Sequence, residues 1–131
     1  MVNFRLVTPK NFIKITHMLS SALLCLTLAV HNEARGESIK GQAAVAYVVI
    51  NRTKNQNQIC NAVYAKGQFA AKPVKNKSSE SWKKSKLISK KVLNKQIKDP
   101  TKGAKYFHNL SVSPKWKHKK VCKIGNHIFY K

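Results

Sequence analysis

At 131 residues the chain has room for one ordinary domain and not for two. A hydrophobic content of 43% excludes wholesale disorder, while a formal net charge of +22 implies anionic partners: nucleic acid, anionic lipid or an anionic cell-wall polymer. Lysine outnumbers arginine 23 to 3, and base reading leans on arginine forks, so specific nucleic-acid recognition is not expected.

Residues 1–16 read as a basic, loosely structured lead-in or a short extra helix. The domain proper is expected over 17–131. The apolar run Met18–Val30 follows Lys10 and Lys14 and fits two readings. One is the hydrophobic stretch of a signal peptide, with Ala29 near the cleavage point. The other is a buried core helix over 17–32, and it is the one favoured here. Thirteen apolar residues are too few to span a bilayer comfortably as a helix. Gly36 suits the C-terminus of that first helix, near Asn32-Glu33. Ser38 is a plausible N-cap for a second helix running through Gln42–Ile50 to about Arg52. Asn55–Gln58 reads as a polar loop, and Ile59–Tyr64 as a short helix.

Twelve lysines fall between Lys72 and Lys105. Within that stretch Trp82, Leu87, Ile88, Val92, Leu93 and Ile97 recur at helical intervals, which predicts an amphipathic helix over Ser81–Ile97 with a lysine-rich outer face. Asp99–Gly103 is a turn signal. Tyr106–His108 and His127–Tyr130 read as short strands. The cysteines Cys25, Cys60 and Cys122 allow one intrachain disulfide, whose pairing the sequence does not specify, and leave one unpaired.

The chain holds four acidic residues, and two of them sit in Glu33-Ala34-Arg35-Gly36-Glu37. A carboxyl at the end of a buried helix has apolar neighbours and the negative pole of the helix dipole, both of which disfavour its charge. Such a group suits general acid catalysis of glycoside cleavage. A nearby Arg35 would oppose the shift. For Glu33 the competing role is an exposed ion pair with Arg35 or lysines; for Glu37 it is a charge stabilising the start of the second helix. His31-x-Glu33 lacks the later P-C-x-x-C of zinc deaminases, and no H-E-x-x-H occurs, so neither a metal nor another cofactor is expected.

The segment Cys25–Arg52, CLTLAVHNEARGESIKGQAAVAYVVINR, resembles the opening block of the SleB-type cell wall hydrolases, the spore-cortex-lytic enzymes and related bacterial and phage lysins. The shared features are the E-A-R-G-E core at Glu33–Glu37, then Gly41-Gln42, then Val45–Arg52. Further blocks follow in order: Ile59-Cys60 with Val63-Tyr64, Gln68-Phe69, Asp99–Thr101, Gly103-Ala104, Tyr106–Asn109, Val112–Pro114, Trp116 and Ile124–Tyr130. The resemblance covers most of residues 25–131. It departs at Gly67, where the family has Cys, and at Ala70-Ala71, where Ser and an aromatic are usual.

The resemblance implies a mainly α (α+β) single domain, similar to lysozyme and lytic transglycosylases, with a small β element. It also implies that the Met18–Val30 helix is retained. It implies cleavage of the β-1,4 bond between N-acetylmuramic acid and N-acetylglucosamine in peptidoglycan, with Glu33 as the catalyst and Glu37 and Arg35 in support. Gln68, Tyr106, His108 and Asn109 would line the sugar groove, whereas Phe107, Trp116, Phe129 and Tyr130 are assigned to the core. A single-glutamate transglycosylase suits a chain this poor in acids. A hydrolase needs a second carboxyl about 5 to 9.5 Å away, which Glu37, Glu80 or Asp99 would have to supply. The expected protein is a monomer acting at the bacterial wall, held there by charge, and reaching it by export or, for a phage lysin, from the host cytoplasm. A basic nucleic-acid-binding protein and a cationic membrane-active protein are the competing readings.

Overall fold

The computed structural model describes residues 9–65 and 67–131, with side chains from residue 21 onward. Four helices and a three-stranded sheet make up these residues. Helix α1 spans Pro9–Ala34, α2 Ile39–Asn51, α3 Ile59–Tyr64 and α4 Glu80–Leu93, with a 3₁₀ turn at Gln56–Gln58. The strands are β1 Tyr106–Asn109, β2 Lys120–Ile124 and β3 His127–Tyr130.

Proline suits a first helical position because its missing N–H would be unpaired there anyway. Pro9 opens α1, and the backbone of residues 9–16 is helical and continuous with the remainder of α1. Residues 1–8 of the expected lead-in lie outside the described residues. The apolar run thus forms the second half of a long helix. Ala22, Leu26, Ala29 and Val30 recur on its buried face, and it packs against α2, α3 and α4. Leu24 is exposed, so α1 is central without being enclosed. Among the described residues no helix is long and apolar enough to cross a membrane.

Helix α2 begins where Ser38 accepts a hydrogen bond from the Gly41 N–H. Its small residues Ala43, Ala44 and Ala46 and the branched Val45, Val48 and Val49 are fully buried, which lets neighbouring helices approach closely. Gln42 is buried with them; its amide donates to the Glu37 carbonyl and its oxygen accepts from the Ser85 hydroxyl at 2.7 Å. Pairing of this kind is what makes an amide tolerable in a core.

The buried stripe of α4 differs from the expected one. It consists of Trp82, Ser85, Ile88, Ser89 and Val92, while Leu87 is 54% exposed. Two serines on the inner face bring α4 close to α1 and α2, a fit that apolar spacing does not reveal. The helix also stops early, so Ile97 lies beyond it. Lys95 takes φ 57°, its N–H donates to the Val92 carbonyl and that of Gln96 to the Lys91 carbonyl. This pair of hydrogen bonds closes a helix end usually marked by glycine.

Cys25 and Cys60 form a disulfide that ties α1 to α3, and Cys122 is free. In the antiparallel sheet, ordered β1-β3-β2, Tyr106 faces Tyr130, Phe107 faces Phe129, His108 faces Ile128 and Asn109 faces His127. Side chains alternate across a strand. Phe107, Asn109, His127 and Phe129 therefore share the inner face, and Tyr106, His108, Ile128 and Tyr130 the outer one. Phe129 is fully buried against the helices. Strand β2, Lys-Val-Cys-Lys-Ile, lacks strict alternation, carries a register shift between Lys120 and Cys122, and was not expected from the residues alone.

Candidate active site

Glu33 stands one residue before the end of α1, half-buried, where the helix meets the segment 70–72. Two neighbouring side chains grip the backbone of that segment. The Asn32 amide donates to the Ala70 carbonyl at 3.0 Å and to the Lys72 carbonyl at 2.8 Å. The Ala70 N–H donates to Glu33 Oε1 at 2.6 Å. Among the described residues this is the hydrogen bond made by the Glu33 carboxylate, so its second oxygen stays available. The contact comes from the backbone of Ala70. Side-chain loss at Ala70-Ala71 therefore leaves the support of Glu33 intact.

Gly36 does not take a left-handed conformation; α1 ends with the Arg35 N–H on the His31 carbonyl and the Glu37 N–H on the Ala34 carbonyl. Arg35 is exposed on the cleft rim and forms no ion pair with Glu33 among the described residues. His31 points the other way, its Nε2 3.2 Å from the Ser81 hydroxyl and its ring edge-on to Trp82. Among the described residues no group of three His, Cys, Asp or Glu could hold a metal ion.

Glu37 lines the same cleft of about 370 Å³, together with Asn32, Asn109, Asn126 and His127. Its side chain is only 10% exposed. Oε1 accepts from the Asn126 N–H at 2.8 Å and lies 3.1 Å from His127 Nδ1, without full hydrogen-bond alignment. Gly125 packs against the same oxygens: a Cβ there would fall 2.9 Å from each, and its φ is 56°. Glu37 thus anchors the β2–β3 turn onto the α1–α2 loop. This goes beyond the helix-end charge expected of it. Burial pushes the His127 imidazole below its ordinary pKa, opposed by the charges of Glu37 and Glu33.

The remaining acids are otherwise occupied. Asp99 accepts from the Asn51 amide, the Thr101 N–H and hydroxyl, and the Gly103 N–H, organising its turn. Glu80 is exposed at the start of α4, 3.8 Å from Lys83.

The four expected groove residues divide between two hollows. Asn109 joins the Glu33 cleft, because odd-numbered residues of β1 face inward. Gln68, Tyr106 and His108 line a separate hollow of about 420 Å³ with Arg52, Trp116 and His118. Arg52 was missed as a site residue. Its guanidinium donates to the Lys105 carbonyl at 2.5 Å and to Gln68 Oε1 at 2.6 Å, and lies over the rings of Phe69 and Tyr106. Desolvation is also the main influence on Arg52, lowering its pKa. Asn126 and His127 were likewise missed, although both stand in the matched Ile124–Tyr130 block. Trp116, assigned to the core, is 41% exposed. Phe107 and Tyr130 are partly buried. Gly67 has φ 75°, a conformation that disfavours the family's Cys, and the disulfide lies elsewhere. A larger hollow of about 520 Å³ beside that disulfide is lined by no acid.

The arrangement is similar to known proteins. The cell wall hydrolase family profile matches residues 36–130, beginning three residues after Glu33. The spore cortex-lytic enzyme of Bacillus cereus is 31% identical over 111 residues, covering 79% of this chain and 41% of that protein. Its counterpart in Halalkalibacterium halodurans is 31% identical over 115 residues, covering 77% and 32%. The chain thus spans less than half the length of these curated relatives. Among solved structures, the catalytic domain of Bacillus cereus SleB superposes with a TM-score of 0.69 at 27% identity, over 86% of this chain and 91% of that one. The catalytic domain of the germination-specific lytic transglycosylase SleB from Bacillus anthracis gives 0.71 at 29%, over 84% and 93%. The expected mainly helical fold with a small sheet is therefore present, and the chain belongs to the cell wall hydrolase family.

Proposed function

We propose that the protein is a lytic transglycosylase that cleaves the β-1,4 bond between N-acetylmuramic acid and N-acetylglucosamine in peptidoglycan, with Glu33 as its single acid–base catalyst. The observation that carries this reading is the unequal commitment of the acids. Glu33 lines the cleft half-exposed with a single hydrogen bond, Glu37 is nearly enclosed against Asn126, His127 and Gly125, Asp99 accepts four hydrogen bonds within its turn, and Glu80 is exposed on α4. Protonated Glu33 would donate to the bridging oxygen as the bond to the muramyl C1 breaks. The resulting carboxylate would take the proton from the muramyl C6 hydroxyl as its oxygen bonds to C1. A 1,6-anhydro end forms, and Glu33 regains its proton. The Ala70 N–H holds one carboxylate oxygen throughout, aiming the other. The lytic transglycosylase named among the similar structures supports this chemistry.

Arg35, at the rim, and Asn109, on the inner face of β1, would meet the sugar around the broken bond. In this reading the catalytic unit spans residues 17–131 and acts as a monomer at the bacterial wall. The net charge of +22 would hold it on anionic wall polymers or membrane surface. Purified protein should solubilise peptidoglycan, and mass spectrometry should find anhydro-muramyl ends. Reducing ends instead would reassign it as a hydrolase, and full activity in Glu33→Gln would end the assignment of Glu33.

A further inference from the structure

Tyr106, His108 and Tyr130 stand together on the outer face of the sheet, and the 110–119 connection adds Trp116 and His118. His118 lies parallel on Tyr106, with ring centres 3.8 Å apart and 9° between planes. His108 Nε2 is 2.7 Å from the Tyr130 hydroxyl. Trp116 meets Tyr106, His108, His118 and Tyr130 at angles between 59° and 83°. No described ring lies parallel to the indole, and 41% of the residue is exposed. Its neighbours therefore brace the indole at steep angles and leave part of its surface open. A large ring held this way offers contact area with little motion left to lose on binding.

We propose that this shelf is a saccharide subsite, in which the C–H face of a pyranose ring in the glycan strand packs on Trp116. This rests on the reading of the Glu33 cleft as the reacting site. Strand β1 connects the two places. Asn109 lines the Glu33 cleft and Tyr106 the shelf, three residues apart, which is about 10 Å along a strand. The two residues face opposite sides of the sheet, but β1 is its edge strand, so one extended polymer crossing that edge can reach both. The Gln68 amide N–H groups and the His108–Tyr130 pair supply hydrogen-bonding groups suited to hydroxyl and acetamido substituents. Aromatic surfaces beside lysines also stack nucleobases. Arg52, however, is spent on Gln68 and the Lys105 carbonyl and is not directed outward for phosphate. That commitment favours a sugar.

The test is the binding of soluble N-acetylglucosamine–N-acetylmuramic acid oligomers to the Glu33→Gln protein, with and without Trp116→Ala. Loss of Trp116 should weaken binding roughly tenfold. Trp116→Phe, which keeps a ring against the same neighbours, should recover most of that loss, and circular dichroism should show both variants folded at the binding temperature. Equal affinity in the two proteins would overturn the proposal. So would a Trp116-dependent loss seen for oligo-thymidylate and not for the glycan. Binding reads the shelf, whereas cleavage reads Glu33, so either assignment can fail without the other.

Discussion

Glu33 and Glu37 lie four residues apart and line one cleft, yet the fold treats them in opposite ways. Glu33 ends a helix and receives one backbone hydrogen bond, from Ala70. Glu37 sits in the following loop, nearly enclosed, held by Asn126, His127 and the bare backbone of Gly125. A carboxylate that anchors a turn cannot easily give up its charge or move toward a substrate. A half-exposed one beside a cleft, with no ion pair among the described residues, can do both. Under the proposed function the difference teaches that the pentapeptide divides its labour: one acid for the reaction, the other for the wall of the site.

The largest expected effect contrasts the two directly. Glu33→Gln should lower peptidoglycan solubilisation by about 10³-fold, within the usual contribution of a general acid, and leave the thermal midpoint nearly unchanged. Glu37→Ala should act mainly on stability, at about 2 kcal/mol for a lost charged hydrogen bond, with residual activity measurable below the new midpoint. The reverse pattern would break the comparison.

The Cys25–Cys60 bridge closes a loop of sequence separation 35 that contains both glutamates. Chain-entropy arguments assign such a loop about 4 kcal/mol. Denaturation with and without reductant should show a loss up to that size. Because the bridge joins α1 to α3 and touches neither carboxylate, activity per folded molecule should persist. An activity loss beyond the unfolded fraction would mean that the Glu33 end of α1 depends on the bridge.

Gly125 sharpens the structural half. Gly125→Ala should cost about 2 kcal/mol, from its left-handed φ and from crowding the Glu37 carboxylate. In a Glu37→Ala background the cost should fall by roughly half, because only the backbone component remains. Additive losses by chemical denaturation would show that the two residues do not interact.

The smallest effect is a pH dependence. Burial lowers the folded-state pKa of His127, so the folded protein binds that proton less readily than the unfolded chain. Its contribution is fully present above the unfolded value of about 6.5. It is lost as pH falls from there through the folded-state pKa. Thermal midpoints measured downward from neutral pH should decline, and His127→Gln should flatten that part of the slope.

Much of the helical half was legible in the residues. The apolar run marked the core stretch of α1, Ser38 marked the start of α2, and Ile59–Tyr64 formed the short helix expected of it. The end of α4 was not legible, because Lys95 adopts a glycine-like conformation there and tertiary packing outweighs local preference. Strand β2 was missed for a related reason: Lys120 and Lys123 are three residues apart, and only the register shift against β3 puts both on the outer face. Trp116 was misplaced because apolar composition cannot tell a buried ring from one braced at the surface.

By itself the sequence determined the scarcity of acids, the helical framework and, through its ordered motifs, the family. Those properties are local or additive along the chain. Only the tertiary structure decided which carboxylate was enclosed and which stayed half-exposed, which cysteines paired, and how the inward and outward faces of β1 divided the groove residues. Each of these depends on contacts between segments far apart in sequence: Glu33 with Ala70, Glu37 with Asn126, and Cys25 with Cys60.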